Sequence, residues 1–415
     1  MRHGFISVLC GVLLTLGSFT ITTSDATACG APFLPQDYEF SVETRGQTAL
    51  LHFRADRIDI HTPLQVKTEE TATQELDELA WVFPVPVGTE LALGDASLFD
   101  ELDADTEVAV RIIDETPEDS GSSSPGIGCG AVDGAGSPGG LGTPNDRVTE
   151  VASGRIGDYE YSIIEASAPE DVVEWLEMNG FATLPGLEEG LAAYLSAGMQ
   201  VAAVKVASDV LSQEQGIDLS PLVISAPRPQ DDEAFAYPLE LSKLAAPDTS
   251  AVTFYIAASA PGYVGNYERE TIEDVADTLL QAHLDYEYMT YDEMIDRETL
   301  AASNNRLFIT EGVYKLSDTS SSDFMLLKGL DEMPEYLTRV RARVPRASLV
   351  DATFAFDDPA GVETFDGEVK RSYNRAEGQE DEGGCATMPT GLLQHPLALF
   401  AGFALLFGVG RRRRK

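Results

Sequence analysis

Few side chains in this chain could carry chemistry. Outside the terminal segments there are three histidines, His52, His61 and His283. His52 alternates within a strand-like run, His61 precedes Thr62-Pro63, and His283 falls in a helical stretch. His52 and His61 could share a metal only if their strands are neighbours. The spacings H-E-x-x-H, C-x-x-C and G-x-S-x-G are all absent, so no zinc-protease, zinc-ribbon or nucleophile-elbow reading arises. A serine or cysteine nucleophile would need a base and an orienting group that spacing does not disclose. Asp100-Glu101 with Asp103 and Asp105, and Asp357-Asp358 with Asp366-Gly367, are oxygen-rich. Both are expected to be loops, and neither has calcium-loop order, so solvated faces are expected over a dedicated site. Gly134-Ala135-Gly136-Ser137-Pro138-Gly139 matches G-x-G-x-x-G. That fingerprint works between a strand and a helix, and this copy lies among glycines with a proline inside it. It is read as accidental. No catalytic, metal or cofactor-binding residue is assigned and no cofactor is expected. The balance leans away from an enzyme.

The charge balance narrows the partners. Against 69 acidic residues stand 28 basic ones, a net charge of −41. Six of those basic residues, Arg2, Arg411 to Arg414 and Lys415, lie at the two ends. A body this acidic repels nucleic acid and anionic lipid, whose phosphates need Lys and Arg. It either gathers divalent cations loosely or stays hydrated, and solvation is the simpler expectation.

Both ends read as addresses. Residues 1–28 follow the plan of a signal peptide: Arg2 and His3, an apolar stretch from Phe5 to Phe19, then Ala26-Thr27-Ala28 as the small-x-small exit. Cleavage after Ala28 would leave Cys29 first. Lipidation at Cys29 stays open, although Ala26 stands where that pathway prefers a bulky aliphatic residue. At the other end, Gly383-Gly384-Cys385 and a polar spacer lead to an apolar run from Leu397 to Val409 and five terminal cations. The run alone is about 20 Å long as a helix, short of the ~30 Å hydrocarbon core, and residues 391–410 make the full candidate span. The positive-inside rule keeps the cationic end cytoplasmic and the body outside. The order cysteine, spacer, short apolar helix, arginine cluster resembles the myxobacterial-type C-terminal sorting signal (MYXO-CTERM). That resemblance implies a membrane sorting protease acting near Cys385; an ordinary tail anchor is the alternative. The implied partners are the export machinery, a signal peptidase and that protease. The body's thiols before Cys385 are Cys29 and Cys129. Export exposes them to an oxidising space, so Cys29 and Cys129 are a candidate disulfide, against which stand the place of Cys129 in the 115–147 insertion and lipidation at Cys29.

Between the ends a mixed α/β (α+β) fold is expected. A β-rich unit at 29–114 includes Ala49 to Phe53 and Leu79 to Phe83, with Pro84 and Pro86 marking a strand's exit or an edge. Glu107 to Ile113 is expected to close this unit. Residues 115–147 turn to Gly, Ser and Pro, the composition of a linker or insertion. An α/β unit at 148–370 starts with a strand at Tyr159 to Glu165 and a helical hairpin. Pro169-Glu170-Asp171 starts its first helix, Asn179-Gly180 stops it, and Leu187, Leu191, Tyr194 and Leu195 mark the second. Strands follow at Met199 to Ala207, Leu222 to Ser225, Tyr237 to Leu241 and Ala251 to Ala257. One long helix is expected from Thr271 to about Arg297. Leu337 to Val344 fits both a half-buried strand and a helix, though Pro334 and Pro345 disfavour a long helix. Residues 371–384 form an acidic stalk, and 385–415 the sorting signal with its transmembrane helix.

A second resemblance runs through these landmarks. Cys29-Gly30, Ala80-Trp81-Val82-Phe83-Pro84-Val85-Pro86 and Ser97-Leu98-Phe99-Asp100 are similar to an uncharacterised secreted family, domain of unknown function 2330. Trp175-Leu176 with Asn179-Gly180, Tyr237-Pro238-Leu239 with Leu241-Ser242, and Leu337-Thr338-Arg339 continue the pattern to about Asp358. The resemblance implies no activity. The expectation is therefore an exported, envelope- or surface-anchored binding or structural module, in adhesion or envelope maintenance. The alternative is a secreted hydrolase whose site is assembled from scattered residues.

Overall fold

The computed structural model describes residues 31–33, 42–43, 47–64, 67–68, 79–114, 147–179, 181, 183–207, 219–229, 235–284, 289–302 and 305–373. By contacts the chain divides into 1–113 with 120–372, and a second unit of 114–119 with 373–415. Only Asp114 and Tyr373 of the second unit are described, so the fold is that of the first.

The early strands are β1 (Ala31–Phe33), β2 (Val42–Glu43), β3 (Gln47–Phe53), β4 (Arg57–Thr62), β5 (Lys67–Thr68), β6 (Ala80–Val85) and β7 (Glu90–Leu93). Helix α1 (Leu98–Asp105), β8 (Ala109–Asp114), β9 (Val148–Ile156) and β10 (Tyr159–Ala166) follow. Then come α2 (Pro169–Met178), α3 (Leu187–Ser196), β11 (Gln200–Val206), β12 (Leu222–Pro227), β13 (Ala236–Tyr237) and β14 (Thr249–Ala258). The last third holds β15 (Gly262–Val264), β16 (Glu268–Thr271), α4 (Ile272–Leu284), α5 (Tyr291–Ala301) and β17 (Leu307–Lys315). It ends with α6 (Met325–Lys328), β18 (Tyr336–Pro345), β19 (Ala352–Phe356) and β20 (Glu368–Tyr373).

Two sheets dominate: a five-stranded one ordered β1-β6-β11-β10-β9 and an eight-stranded one ordered β16-β17-β18-β14-β3-β4-β12-β7. Residues from 29–114 and from 148–370 contribute strands to both, so the two successive units read from the sequence share one pair of sheets. Period-2 alternation tells each strand which way to face. Trp81, Phe83 and Val85 of β6 enter one apolar cluster with Ala49, Leu51 and Phe53 of β3 and Val340, Ala342 and Val344 of β18. Ala80 and Val82 turn the other way, onto Trp175, Leu176, Leu187 and Leu191 of α2 and α3. On the far face of the eight-stranded sheet, Leu50, Tyr255 and Leu337 meet Leu98 and Phe99 of α1 and Leu327 of α6. Helices α4 and α5 pack there too, through Val275, Met294 and Ile295 against Leu307 and Ile309 of β17. The layers run helix, sheet, sheet, helix. Aromatic edges fill the middle: Phe53 meets Phe356 at 5.0 Å and Phe254 meets Phe354 at 5.4 Å, both edge-on, the arrangement ring quadrupoles favour.

Several expectations hold for stated reasons. Pro84 lies next to the last residue of β6, beyond the Ala80 to Val82 stretch that pairs with the described residues of β1. The α2–α3 hairpin is present, with Pro169 in the first turn of α2 and Asn179 as its C-cap. Leu337 to Val344 is strand. It pairs with β14 along its length and with β17 on the other side, and Val340, Ala342 and Val344 face the cluster between the sheets.

Others need correction. Glu107 to Ile113 is strand from Ala109, but β8 joins neither large sheet and pairs with β20. Asp100 to Asp105 is not a loop but lies in α1. Tyr237 to Leu241 is strand only at Ala236–Tyr237, and a 3₁₀ turn begins at Leu241. The single helix expected from Thr271 to Arg297 is two helices. The second is started by a capping box: Glu293 N–H donates to Thr290 Oγ1 at 3.2 Å, and Thr290 N–H donates to Glu293 Oε2 at 2.7 Å. Thr290→Ala is accordingly expected to lower stability by about 1 kcal/mol. A denaturant midpoint unchanged from the parent would rule out that role for the cap. Among the described residues no helix is long and apolar enough to cross a membrane, and 391–410 lies outside them.

Candidate functional site

The processing residues Ala28, Cys29 and Cys385, the Cys29–Cys129 pair and the glycines of 134–139 all lie outside the described residues. The side chain of His283 does too.

The two remaining histidines do come together. Strands β3 and β4 are antiparallel neighbours with Leu50 opposite His61 and His52 opposite Asp59; on β12, Val223 faces His61 and Ser225 faces Asp59. Cross-strand partners share a face, so His52, Asp59, His61 and Ser225 line one side. They form no metal centre: among the described residues, no three His, Cys, Asp or Glu side chains are placed to hold an ion. Nor do they form a triad. Ser225 Oγ donates to Asp59 Oδ1 at 2.5 Å and accepts from Arg57 Nε at 2.8 Å. Arg54 donates to Asp59 Oδ2 at 3.0 Å. Burial would raise the Asp59 pKa, but the Ser225 and Arg54 hydrogen bonds outweigh it and hold the carboxyl below its usual range. A carboxylate so stabilised is a poor base, and Ser225 stays an alcohol. His52 Nε2 donates to the Glu332 carbonyl at 2.9 Å. Glu332, in a left-handed conformation (φ 53°), is further held by Arg54 and Ala55 N–H. These contacts tie the 324–335 segment to the sheet.

The acidic stretches are likewise structural. From α1, Glu101 accepts from Leu326 N–H at 2.8 Å and Asp105 from Phe324 N–H at 2.5 Å, fastening the start of α6. Asp103 accepts from the Tyr255 hydroxyl at 2.5 Å. Asp357 takes a two-pronged bond from Arg269. Asp358 and Asp366 accept from Ala360 and Glu368 N–H, as turn residues do.

Polar and aromatic groups converge on open space elsewhere, on the helix side of the five-stranded sheet. A half-open cleft is floored by Glu160 and Ser162 of β10 and Ala203 and Lys205 of β11, and walled by Trp175, Asn179 and Phe181. The register builds the floor: Glu160 lies opposite Lys205 and Ser162 opposite Ala203. Lys205 Nζ is 3.7 Å from Glu160 Oε2 and 5.8 Å from the Phe181 ring centre. Ser162 Oγ donates to Glu150 Oε2 at 3.2 Å, and Asn179 Nδ2 donates to the Trp175 carbonyl at 2.8 Å. Trp175 and Phe181 are each 5% exposed and packed into the helix-side core, so the wall is preset. Sequence reasoning missed these residues. The one signal was charge at alternating positions inside apolar strands, Glu160 between tyrosines and Lys205 between valines. Only strand pairing shows that the two meet.

A second cleft opens between the sheets where β6 exits. Phe83 to Pro86 and Ala236 to Pro238 line it with Met199 and Phe235, and no charged residue among the described ones takes part. The Trp-Val-Phe-Pro-Val-Pro and Tyr-Pro-Leu stretches thus serve the same rim. A family profile described as an uncharacterized protein conserved in bacteria (DUF2330) matches residues 24–357. The chain belongs to this family. No curated protein and no solved structure matches it. In this DUF2330 protein, Phe83 to Pro86 and Tyr237-Pro238 stand at the apolar rim, whereas Trp175 and Asn179 stand at the charged cleft.

Proposed function

We propose that this DUF2330 protein is exported and held at the cell envelope or surface as a binding or structural module, with the Glu160–Lys205 cleft as its ligand site. The supporting observation is where the polar chemistry goes. Ser225, Asp59 and His52 are engaged in internal contacts, while Glu160, Lys205, Ser162 and Asn179 converge on a half-open cleft. The address rests on the two ends of the sequence: export machinery and signal peptidase act through Ala28 and Cys29, and 391–410 spans the inner membrane until a sorting protease acts near Cys385.

Protein from native cells is expected to begin at Cys29 by N-terminal sequencing. Deleting 386–415 should release folded protein into the medium, and Cys385→Ala should leave uncleaved precursor in the inner membrane. An intact leader on exported protein overturns the address. Normal maturation of the Cys385→Ala variant leaves an ordinary tail anchor.

One observation favours the hydrolase reading: Ser162 meets the Glu150 carboxylate in the same cleft. A carboxylate is a weak base toward a serine hydroxyl, and none of the hydrogen bonds around Ser162 supplies an imidazole. Labelling of Ser162 by a fluorophosphonate probe would establish the hydrolase instead.

A further inference from the structure

The connection between β17 and β18 folds back over the eight-stranded sheet. Twenty residues separate Lys315 from Tyr336, and only the four of α6 are in regular structure. Connections beyond ~12–15 residues with little structure of their own are commonly lids or binding loops. The ends meet: Lys315 lies opposite Tyr336, and Leu316 N–H donates to the Glu335 carbonyl at 3.0 Å. Between them, Phe324 and Leu327 are buried in the cluster of Leu50, Tyr255 and Leu337, while Met325 and Met333 are exposed. Among the described residues, the backbone-to-backbone bonds of Thr319 to Pro334 stay within the loop. Its polar ties to the body use side chains. Phe324 N–H donates to Asp105 Oδ2, and Leu326 and Leu327 N–H donate to Glu101. The Glu332 carbonyl accepts from His52 Nε2, and its carboxylate accepts from Arg54 and Ala55 N–H.

Backbone strain sits at the same places. Phe324 (φ 54°) and Glu332 (φ 53°) are non-glycine residues in the left-handed region, and each carries a latch, the Phe324 amide and the Glu332 carbonyl. Such residues hold that conformation only where their surroundings over-determine it. Here the latches are those surroundings. Releasing them relaxes both residues, so opening costs less than the burial of Phe324 and Leu327 alone would set. A segment held by side chains, without ladder bonds, belongs to the low-stability end of a fold.

We infer that residues 317–334 are a lid that opens as a unit while both sheets stay folded. Glu101 and Asp105 latch one end, His52 and Arg54 latch the other, and opening uncovers the sheet beneath Phe324 and Leu327.

Hydrogen exchange of the full chain, read by mass spectrometry, tests the lid. Peptides within 324–332 are expected to exchange more slowly than a free chain, yet at least about 100-fold faster than β14 and β18. Thr290→Ala, which removes the α5 cap, should speed β14 and β18 about fivefold and leave the lid unchanged, because the cap survives lid opening and is lost only on global unfolding. His52→Leu and Glu101→Ala should each speed the lid about tenfold, the loss of one net hydrogen bond. Tryptic cleavage after Lys328 should rise in step. Variants are compared only after circular dichroism shows the parent fold. If His52→Leu fails to fold, Glu332→Ala takes its place, removing the carboxylate that Arg54 and Ala55 N–H hold. Lid exchange at the free-chain rate would mean that there is no closed state. Lid and strands exchanging together, a lid that follows Thr290→Ala, or latch variants with the parent's lid rate would each overturn the inference.

Discussion

Arg339→Met is expected to lower the unfolding free energy by about 3–5 kcal/mol, the cost of leaving a buried charge without its partner. Glu311 on β17 is fully buried, and Arg339 Nε on β18 lies 2.7 Å from its Oε2. The contact is ionic, because the two atoms lack hydrogen-bond alignment. The Tyr291 hydroxyl donates to the other carboxylate oxygen. Arg339 also donates to the Thr106 carbonyl at 2.8 Å and lies 5.6 Å from the Tyr255 ring centre. Burial alone would lower the Arg339 pKa, yet Glu311, Tyr255, Asp103 and Tyr291 together raise it above its ordinary value. Burial and then Glu311 push Tyr291 upward, keeping it a donor. One pair thus joins α5, α1 and the sheet. Urea unfolding of Arg339→Met, Glu311→Gln and the double variant measures the effect. The double variant is expected to recover part of the loss, since both charges are gone. A single-variant loss below about 1 kcal/mol would mean that Glu311 needs no cation.

The second large effect is with pH. His61 is 6% exposed, its Nδ1 has no hydrogen-bond partner, and burial lowers its pKa from the ordinary value to about 4. Above pH 6.5 both folded and unfolded chains hold it neutral, so it adds no pH dependence. As pH falls from 6.5 to 4, the unfolded chain takes up a proton that the folded one refuses. Stability should therefore drop across that window by about 3 kcal/mol. His52, also lowered chiefly by burial, acts in the same direction. Asp59, held low, loses its contribution only below about pH 4. Asp351 and Asp296, raised by burial, act in the opposite sense on acidification. The decisive comparison is therefore between proteins: His61→Phe should show a flatter profile than the parent in urea midpoints at pH 7, 5.5 and 4.5. Equal slopes would assign the acid sensitivity elsewhere. The neighbourhood is tight. A side chain at Gly94 would put its Cβ 3.4 Å from His61 Nδ1 and 3.3 Å from Pro221, so Phe is preferred over any change at Gly94.

Local signals reach as far as local physics does. Proline before the carboxylates at Pro169-Glu170-Asp171 starts α2, because a missing N–H and negative charge both suit a helix's first turn. Pro84 falls next to the end of β6, where a missing N–H is best tolerated. The spacing Thr290-x-x-Glu293 was equally local and legible; the apolar pattern running through it concealed the break. Family membership was readable too, since short ordered motifs survive without knowledge of their neighbours. What only tertiary structure decided is which distant residues share a face. Leu337 to Val344 satisfied two periodicities until β14 and β17 took up its backbone donors and acceptors. Its three alternating arginines then became partners of Glu311, Asp292 and Asp296. Asp100 to Asp105 looked like an ion-binding loop because carboxylate spacing alone does not say whether backbone N–H groups 220 or so residues onward will arrive to be capped. Glu160 and Lys205 stand 45 positions apart, and their meeting depends on the register of β10 against β11. A one-residue slip in that register would put them on opposite faces, which is why no reading of either strand alone could find the cleft.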